Sequence, residues 1–288
     1  MPNIGNPSLD IEFLMAANPK KYLGIKFFDQ LIGGHREWLM GFDKIYLSAW
    51  DNLFTKDNSE AALCEAGTRQ LLQELDVNIE PYSLGGNDRN PDFKCQKNSK
   101  LFYVDATCVM KDTATRRSHL DDALHNPKAS FYSLLTDAYF KKVGKKISQF
   151  ENLNAPCMVA IGTLHFRAGA LCFDKKSAEE ILTGKCGISI GINTRTGGAV
   201  GEPYNSTSLE SALFLKARKI ICDEPPIKPV WQTISAVLLC PFGTHPVKCL
   251  GILHPKPYYE FDRGLLLGIK FCRLKTGWER GILTTEWI

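Results

Sequence analysis

The sequence predicts an α/β protein built around a mixed sheet, and three observations carry that prediction. A helical stretch, EAALCEAGTRQLLQEL, opens behind the N-cap residues Asn58 and Ser59. Two strand-like runs, around 92–96 and 101–110, are joined by KNSK in the manner of a hairpin. A long helical segment, about 128–150, then leads into CMVAIGTLH, an apolar run behind a proline that reads as a buried strand. Helix, strand, hairpin, helix, strand is the order of an α/β core whose helices cover a mixed sheet.

The remaining segments fall around that core. Residues 1–57 are expected to form an N-terminal helical addition, because Trp38, Phe42, Tyr46 and Trp50 recur at helix-like spacing. The core is expected to span 58–170. Within it VNIEPYSL follows the first helix as a strand, and GGNDRNP is a loop. KDTATRRSHLDDALHNP is a polar connection. Residues 171–288 extend the same sheet or form a second lobe. There a helix is expected at 208–219 and strands near 232–240 and 248–253. INTRTGGAVGEPYNSTS reads as a long loop and EPPIKP as a break.

Composition narrows the class. A chain of 288 residues that is 44% hydrophobic can bury a sizeable core. A net charge of +4 and a pI near 8.4 permit an anionic partner without demanding one. The ten cysteines form no CxxC pair and sit mostly in apolar runs, among them Cys108, Cys157, Cys172, Cys240 and Cys272. That pattern fits neither a zinc ribbon nor a disulfide scaffold, and reduced buried thiols are expected. No secretory leader pattern opens the sequence and no apolar run is long enough to span a membrane, so a cytoplasmic protein is expected. The six histidines show no HxH or HExxH spacing and are expected to be structural or superficial. The glycines of INTRTGGAVGEP lack the lysine of a phosphate loop.

Two carboxylates stand out in the hairpin. With Asn98-Ser99 as a two-residue turn, pairing outward from Lys97 and Lys100 ends with Asp92 opposite Asp105. Cross-strand neighbours on one face lie about 5 Å apart. Two like charges that close, in apolar surroundings, need a cation or a shared proton. A hard divalent ion held by oxygen ligands is the simplest answer. Alternation puts Tyr103, Asp105 and Thr107 on one face and Phe102, Val104, Ala106 and Cys108 on the other. If Asp92 merely caps a turn, as Asx residues beside proline often do, the pairing carries no site.

The helices add further charges at unusual places. With Leu72 at the centre of the first helix's apolar stripe, Glu65 falls about 20° away, whereas Glu60 and Glu74 point to solvent. A glutamate inside an apolar stripe is costly unless it is hydrogen-bonded, paired or bound to metal. In FYSLLTDAYFKKVGKKISQF, Phe131, Leu135, Val143, Ile147 and Phe150 share one face. Lys141 and Lys145 point outward, and Lys146 lies at the core boundary, about 60° from Val143. Snorkelling alone would account for such a lysine.

This order resembles the PD-(D/E)XK superfamily of restriction-endonuclease-like nucleases, over about 58 to 165. Asp92 in PDF is similar to the aspartate at the start of the second strand of that family, and Asp105 in DAT to the acidic member of its (D/E)-x-K. Glu65 matches the helix glutamate of many members. KKISQF and APCMVAIGTL resemble a lysine-bearing helix and the strand after it, and WQTISAVLLC with GILHPKP more distantly resembles C-terminal segments of the family. This chain departs from the pattern at Thr107, which stands where the lysine is expected. Lys146, Lys142 and Lys94 are the candidates to replace it. The resemblance implies a restriction-endonuclease-like core and metal-dependent hydrolysis of phosphodiester bonds. Glu65, Asp92 and Asp105 would hold Mg²⁺ or Mn²⁺, with Thr107 and Lys146 completing the catalytic group.

Lys94, Lys97, Lys100, Arg116, Arg117 and Lys142 make a basic surface expected to hold phosphates. The expected partner is nucleic acid, DNA before RNA, with no membrane; a homodimer or larger complex is left open. The alternative is a catalytically degenerate relative that binds nucleic acid or serves as a scaffold. A hydrolase of mononucleotides is the rival from another class.

Overall fold

The computed structural model describes residues 26–55, 58–82, 90–122, 132–207, 212–217, 227–244, 247–280 and 282–288. Two helices, α1 (Lys26–Met40) and α2 (Lys44–Thr55), precede α3 (Ser59–Glu74). Then come β1 (Asn78–Pro81), β2 (Phe93–Lys97), β3 (Lys100–Cys108), α4 (Lys111–Ser118), α5 (Thr136–Phe150) and β4 (Cys157–Gly162). The short α6 (Phe166–Cys172) and α7 (Lys175–Thr183) lead to β5 (Lys185–Ile192) and β6 (Ala199–Thr207). The last strands are β7 (Leu215–Ala217), β8 (Ile227–Pro229), β9 (Ala236–Cys240), β10 (Leu250–Leu253), β11 (Lys270–Leu274) and β12 (Thr285–Trp287).

Eight strands form one mixed sheet in the order β1-β2-β3-β4-β9-β10-β11-β12. β4 is parallel to both its neighbours, β3 and β9. A strand covered on both faces reads as an unbroken apolar run, and all six residues of β4 are buried. One face packs on α1, α2 and α3 through Phe28, Leu31, Leu63 and Leu72, meeting Phe102, Val104 and Met158. The other packs on α5 and α7 through Tyr139, Val143 and Ile181, meeting Tyr103, Val159 and Ile161. The alternation expected for β3 is therefore the one observed.

The hairpin register is also as expected. Phe93 pairs with Val104 and Lys97 with Lys100, so the next position outward sets Asp92 against Asp105. Asn98 and Ser99 both take positive φ, 50° and 62°, the conformation a type I′ turn requires. α3 approaches the sheet closely. A Cβ on Gly67 would meet the Phe242 ring at 2.9 Å, and one on Gly162 would meet Cys64 Sγ at 2.6 Å.

Several expectations are corrected. INTRTGGAVGEPYNSTS is not a loop: most of it belongs to β5 and β6, an antiparallel arm. Its tip turns where Asn193 Oδ1 accepts from the Arg195 and Thr196 amides, at 2.9 and 3.3 Å. Residues 215–217 form a strand paired with β8 rather than a helix. The polar connection holds α4. α5 starts at Thr136, later than expected, and the Ser133 amide instead donates to the Ser118 carbonyl at 2.9 Å. Phe42 lies in the turn between α1 and α2, where Gly41 and Phe42 amides close on Trp38 and Leu39 carbonyls at 3.1 and 3.0 Å. Residues 1–25, Phe131 and most of GGNDRNP lie outside the described residues. Cys108, Cys157, Cys172, Cys240 and Cys272 are free and buried. Among the described residues no helix is long and apolar enough to cross a membrane.

Candidate active site

Asp105 is fully buried in β3 and directed to the α5 side of the sheet. Lys146 of α5 reaches it, with Nζ 2.8 Å from Oδ2. Among the described residues neither Asp105 oxygen accepts a hydrogen bond from any other donor. Asp92 is held more firmly. Its carbonyl accepts from the Tyr82 amide at 2.8 Å, and its Oδ2 accepts from the Ala106 amide at 2.7 Å. It therefore continues the hairpin ladder with its side chain instead of capping a turn. Gln149 of α5 ties the preceding loop down, its Nε2 donating to the Asn90 carbonyl at 3.4 Å.

Glu65 comes from the other face. It lies close enough to Asp92, Asp105 and Lys146 to interact with each of them electrostatically. Its side chain is 19% exposed. The three carboxylates disturb one another. Burial, then the Asp105 charge, raises Glu65 to about 8. Burial, then Glu65, raises Asp92 to about 7. Burial, then Asp92, raises Asp105 to about 8. Lys146 opposes all three shifts. One ammonium cannot balance three carboxylates, so near neutral pH the group holds protons that a stronger cation would displace.

That donor set suits a hard divalent ion: three carboxylates, among them the buried Asp105 oxygens, which among the described residues have no partner besides Lys146. Among the described residues no three His, Cys, Asp or Glu side chains are already arranged to hold one. Lys146 supplies the local positive charge in this arrangement.

The other lysines fall differently. Thr107 lies on the Asp105 face of β3, buried. Lys94 shares that side of the hairpin but pairs with Glu80 at 3.1 Å. Lys142 sits one turn before Lys146. Burial first, then Lys145 and Lys146, lowers its pKa. Lys97 donates to the Leu75 carbonyl, and Lys100 pairs with Asp262 at 2.7 Å. Both are at the hairpin tip, roughly 16 Å along the strands from Asp92. Arg117 lies 3.7 Å from Asp137, and Arg116 is exposed at the end of α4. The basic residues thus do not form one patch around the carboxylates.

Two groups escaped the sequence reading. Glu60 is buried, not solvated; its Oε2 accepts from the Lys111 amide at 2.8 Å, and burial raises its pKa. A wheel centred on Leu72 describes one face of α3, whereas this helix is covered on several. The second is His35, buried on α1 with Nε2 3.7 Å from Glu65 Oε1. A signal existed: His35 continues the apolar stripe Phe28, Leu31, Ile32 and Leu39. His165, by contrast, is structural. Its Nδ1 caps α6 by accepting from the Ala168 amide at 3.0 Å.

No family model, curated protein or solved structure matches this chain.

Proposed function

We propose that the chain is a metal-dependent nuclease of the restriction-endonuclease-like, PD-(D/E)XK type, hydrolysing phosphodiester bonds in nucleic acid, DNA before RNA. The observation that carries this reading is Lys146 at 2.8 Å from Asp105, in a group that also holds Asp92 and Glu65. The hairpin has a carboxylate at each expected position, and the lysine missing at Thr107 has a replacement from the following helix.

In this reading Asp92, Asp105 and Glu65 hold Mg²⁺ or Mn²⁺. When bound, the ion supplies Lewis acidity toward the scissile phosphate and a lowered pKa for an attacking water. Lys146 turns from Asp105 to the phosphate, where its ammonium stabilises charge developing on the oxygens. Thr107 offers a hydroxyl to water but no charge. Lys142, one turn before Lys146 and without a carboxylate ion pair among the described residues, is a further phosphate contact in this reading.

The degenerate reading, a binding module without catalysis, draws on one observation: no ligand set is already closed around an ion among the described residues. Cleavage of plasmid, linear and single-stranded substrates with Mg²⁺ or Mn²⁺ decides between them. The wild-type chain should cut, Asp105→Ala should not, and Lys146→Ala should be slower by about 10²–10³-fold. Removing Lys146 should also tighten Mn²⁺ binding, because the ammonium competes for Asp105. Inactivity of the wild type across metals and substrates would leave the binding module. Phosphate release from mononucleotides without polymer cleavage would identify the rival hydrolase.

A further inference from the structure

His35 lies wholly inside the protein, boxed by Trp38 and Trp50 with ring centroids 5.3 and 4.8 Å away. Neither ring nitrogen has a hydrogen-bond partner. An imidazole carries at least one N–H in either protonation state, and a buried N–H without an acceptor is uncommon in a native fold. The neighbours offer little. Arg69, stacked over Trp38 at 5.9 Å, is a donor only. The Trp50 indole N–H is engaged with the Ala62 carbonyl at 3.3 Å. The acceptor facing the ring, among the described residues, is Glu65 Oε1, 3.7 Å from Nε2. A shift of well under 1 Å brings that pair into hydrogen-bond range.

We propose that His35 is a positioning residue: its Nε2–H donates to Glu65 Oε1 and holds that carboxylate in the group formed with Asp92 and Asp105. Glu65 otherwise receives no hydrogen bond from a described residue, although it carries a carboxylate on a long side chain. Asp92, by comparison, is fixed by the Ala106 amide. A donor behind a ligand carboxylate fixes its orientation, as partners behind metal ligands commonly do. The purpose assigned to the held carboxylate rests on the nuclease reading; the contact itself does not.

The test has a metal-free arm and a metal arm, both on the full chain. ¹⁵N-histidine NMR of the ion-free protein, with His35 assigned by its loss in His35→Gln, should show the Nε2–H tautomer with a slowly exchanging proton. Glu65→Ala should speed that exchange at least tenfold, and Glu65→Gln, which keeps an oxygen acceptor, should not. An Nδ1–H tautomer, or a resonance indifferent to Glu65→Ala, overturns the proposal. In the second arm Mn²⁺ is titrated by EPR into chains shown to be folded by circular dichroism. His35→Phe should bind about 10–100-fold more weakly, and His35→Gln, whose amide nitrogen can reach the Nε2 position, should recover most of the loss. Equal affinity in wild type and His35→Phe overturns a role toward the ion. A wild type that binds no Mn²⁺ removes the nuclease reading, and the NMR arm alone then upholds or overturns the His35 contact.

Discussion

Asp105 carries a charge that its surroundings resist. Burial and Asp92 raise its pKa from the ordinary 3.8 to about 8, so the folded chain holds the proton more tightly than the unfolded chain does. The stability this provides is fully present below about pH 4 and is lost as pH climbs through 8. Glu65, at about 8, and Asp92, at about 7, act in the same direction. The ion-free protein should therefore melt at a lower temperature at pH 8.5 than at pH 5, and Asp105→Asn should flatten that dependence. Melting curves in EDTA across this range check it; parallel slopes for the two proteins would be the wrong result. Lys146 is the counterpart. Lys146→Met leaves three carboxylates without a cation and should cost about 3–5 kcal/mol at pH 8. At pH 5, where the carboxylates are protonated, the loss should be much smaller. Urea unfolding at the two pH values measures the difference.

At the level of elements, the hairpin is what brings Asp92 and Asp105 together, and its turn is not optimal. Ser99 at φ 62° is a non-glycine residue in the left-handed region. Ser99→Gly should stabilise the fold by about 1 kcal/mol without moving the register, as read from denaturant midpoints. Unchanged stability would mean that the serine is not strained. Contact between α3 and the sheet is a second control. Gly162→Ala would push its methyl against Cys64 and Phe242, at 2.6 and 2.9 Å, and displace the helix that carries Glu65. It should cost about 1–3 kcal/mol and weaken Mn²⁺ binding along with stability. A stable variant with wild-type affinity would show that Glu65 does not depend on this packing.

The hairpin was legible because local chemistry specifies it: a two-residue turn between alternating strands fixes pairing one residue at a time. Glu65 was legible because a charge inside an apolar stripe breaks the helical pattern, and Lys146 because it lies at the boundary of its helix's apolar face. Glu60 was not, since its partner is the Lys111 backbone 51 residues away, a non-local contact without a local signature. The β5–β6 arm hid because Gly197, Gly198 and Gly201 read as loop, although backbone pairing does not depend on side chains. His35 was visible as a polar residue in an apolar stripe, but its meaning depends on α1 packing against α3.

For the molecule as a whole, the sheet is the organising body. β9 pairs with β4 across 78 residues of sequence, as at Ile161 and Leu239, so the order of the C-terminal strands rests on long-range contacts that no short sequence window contains. Helices on the two faces deliver opposite charges to one end of the hairpin, Glu65 from α3 and Lys146 from α5. On the proposed nuclease reading, this convergence is a cation site whose carboxylates ionise together only when a divalent ion is bound. Calorimetric titration of the ion-free chain with Mn²⁺ at pH 6.5, repeated in buffers of different ionisation enthalpy, measures binding and proton release at once. Binding should release at least one proton per ion in the wild type and be lost in Asp105→Ala. Absence of binding, or binding without proton release that survives Asp105→Ala, would contradict that reading.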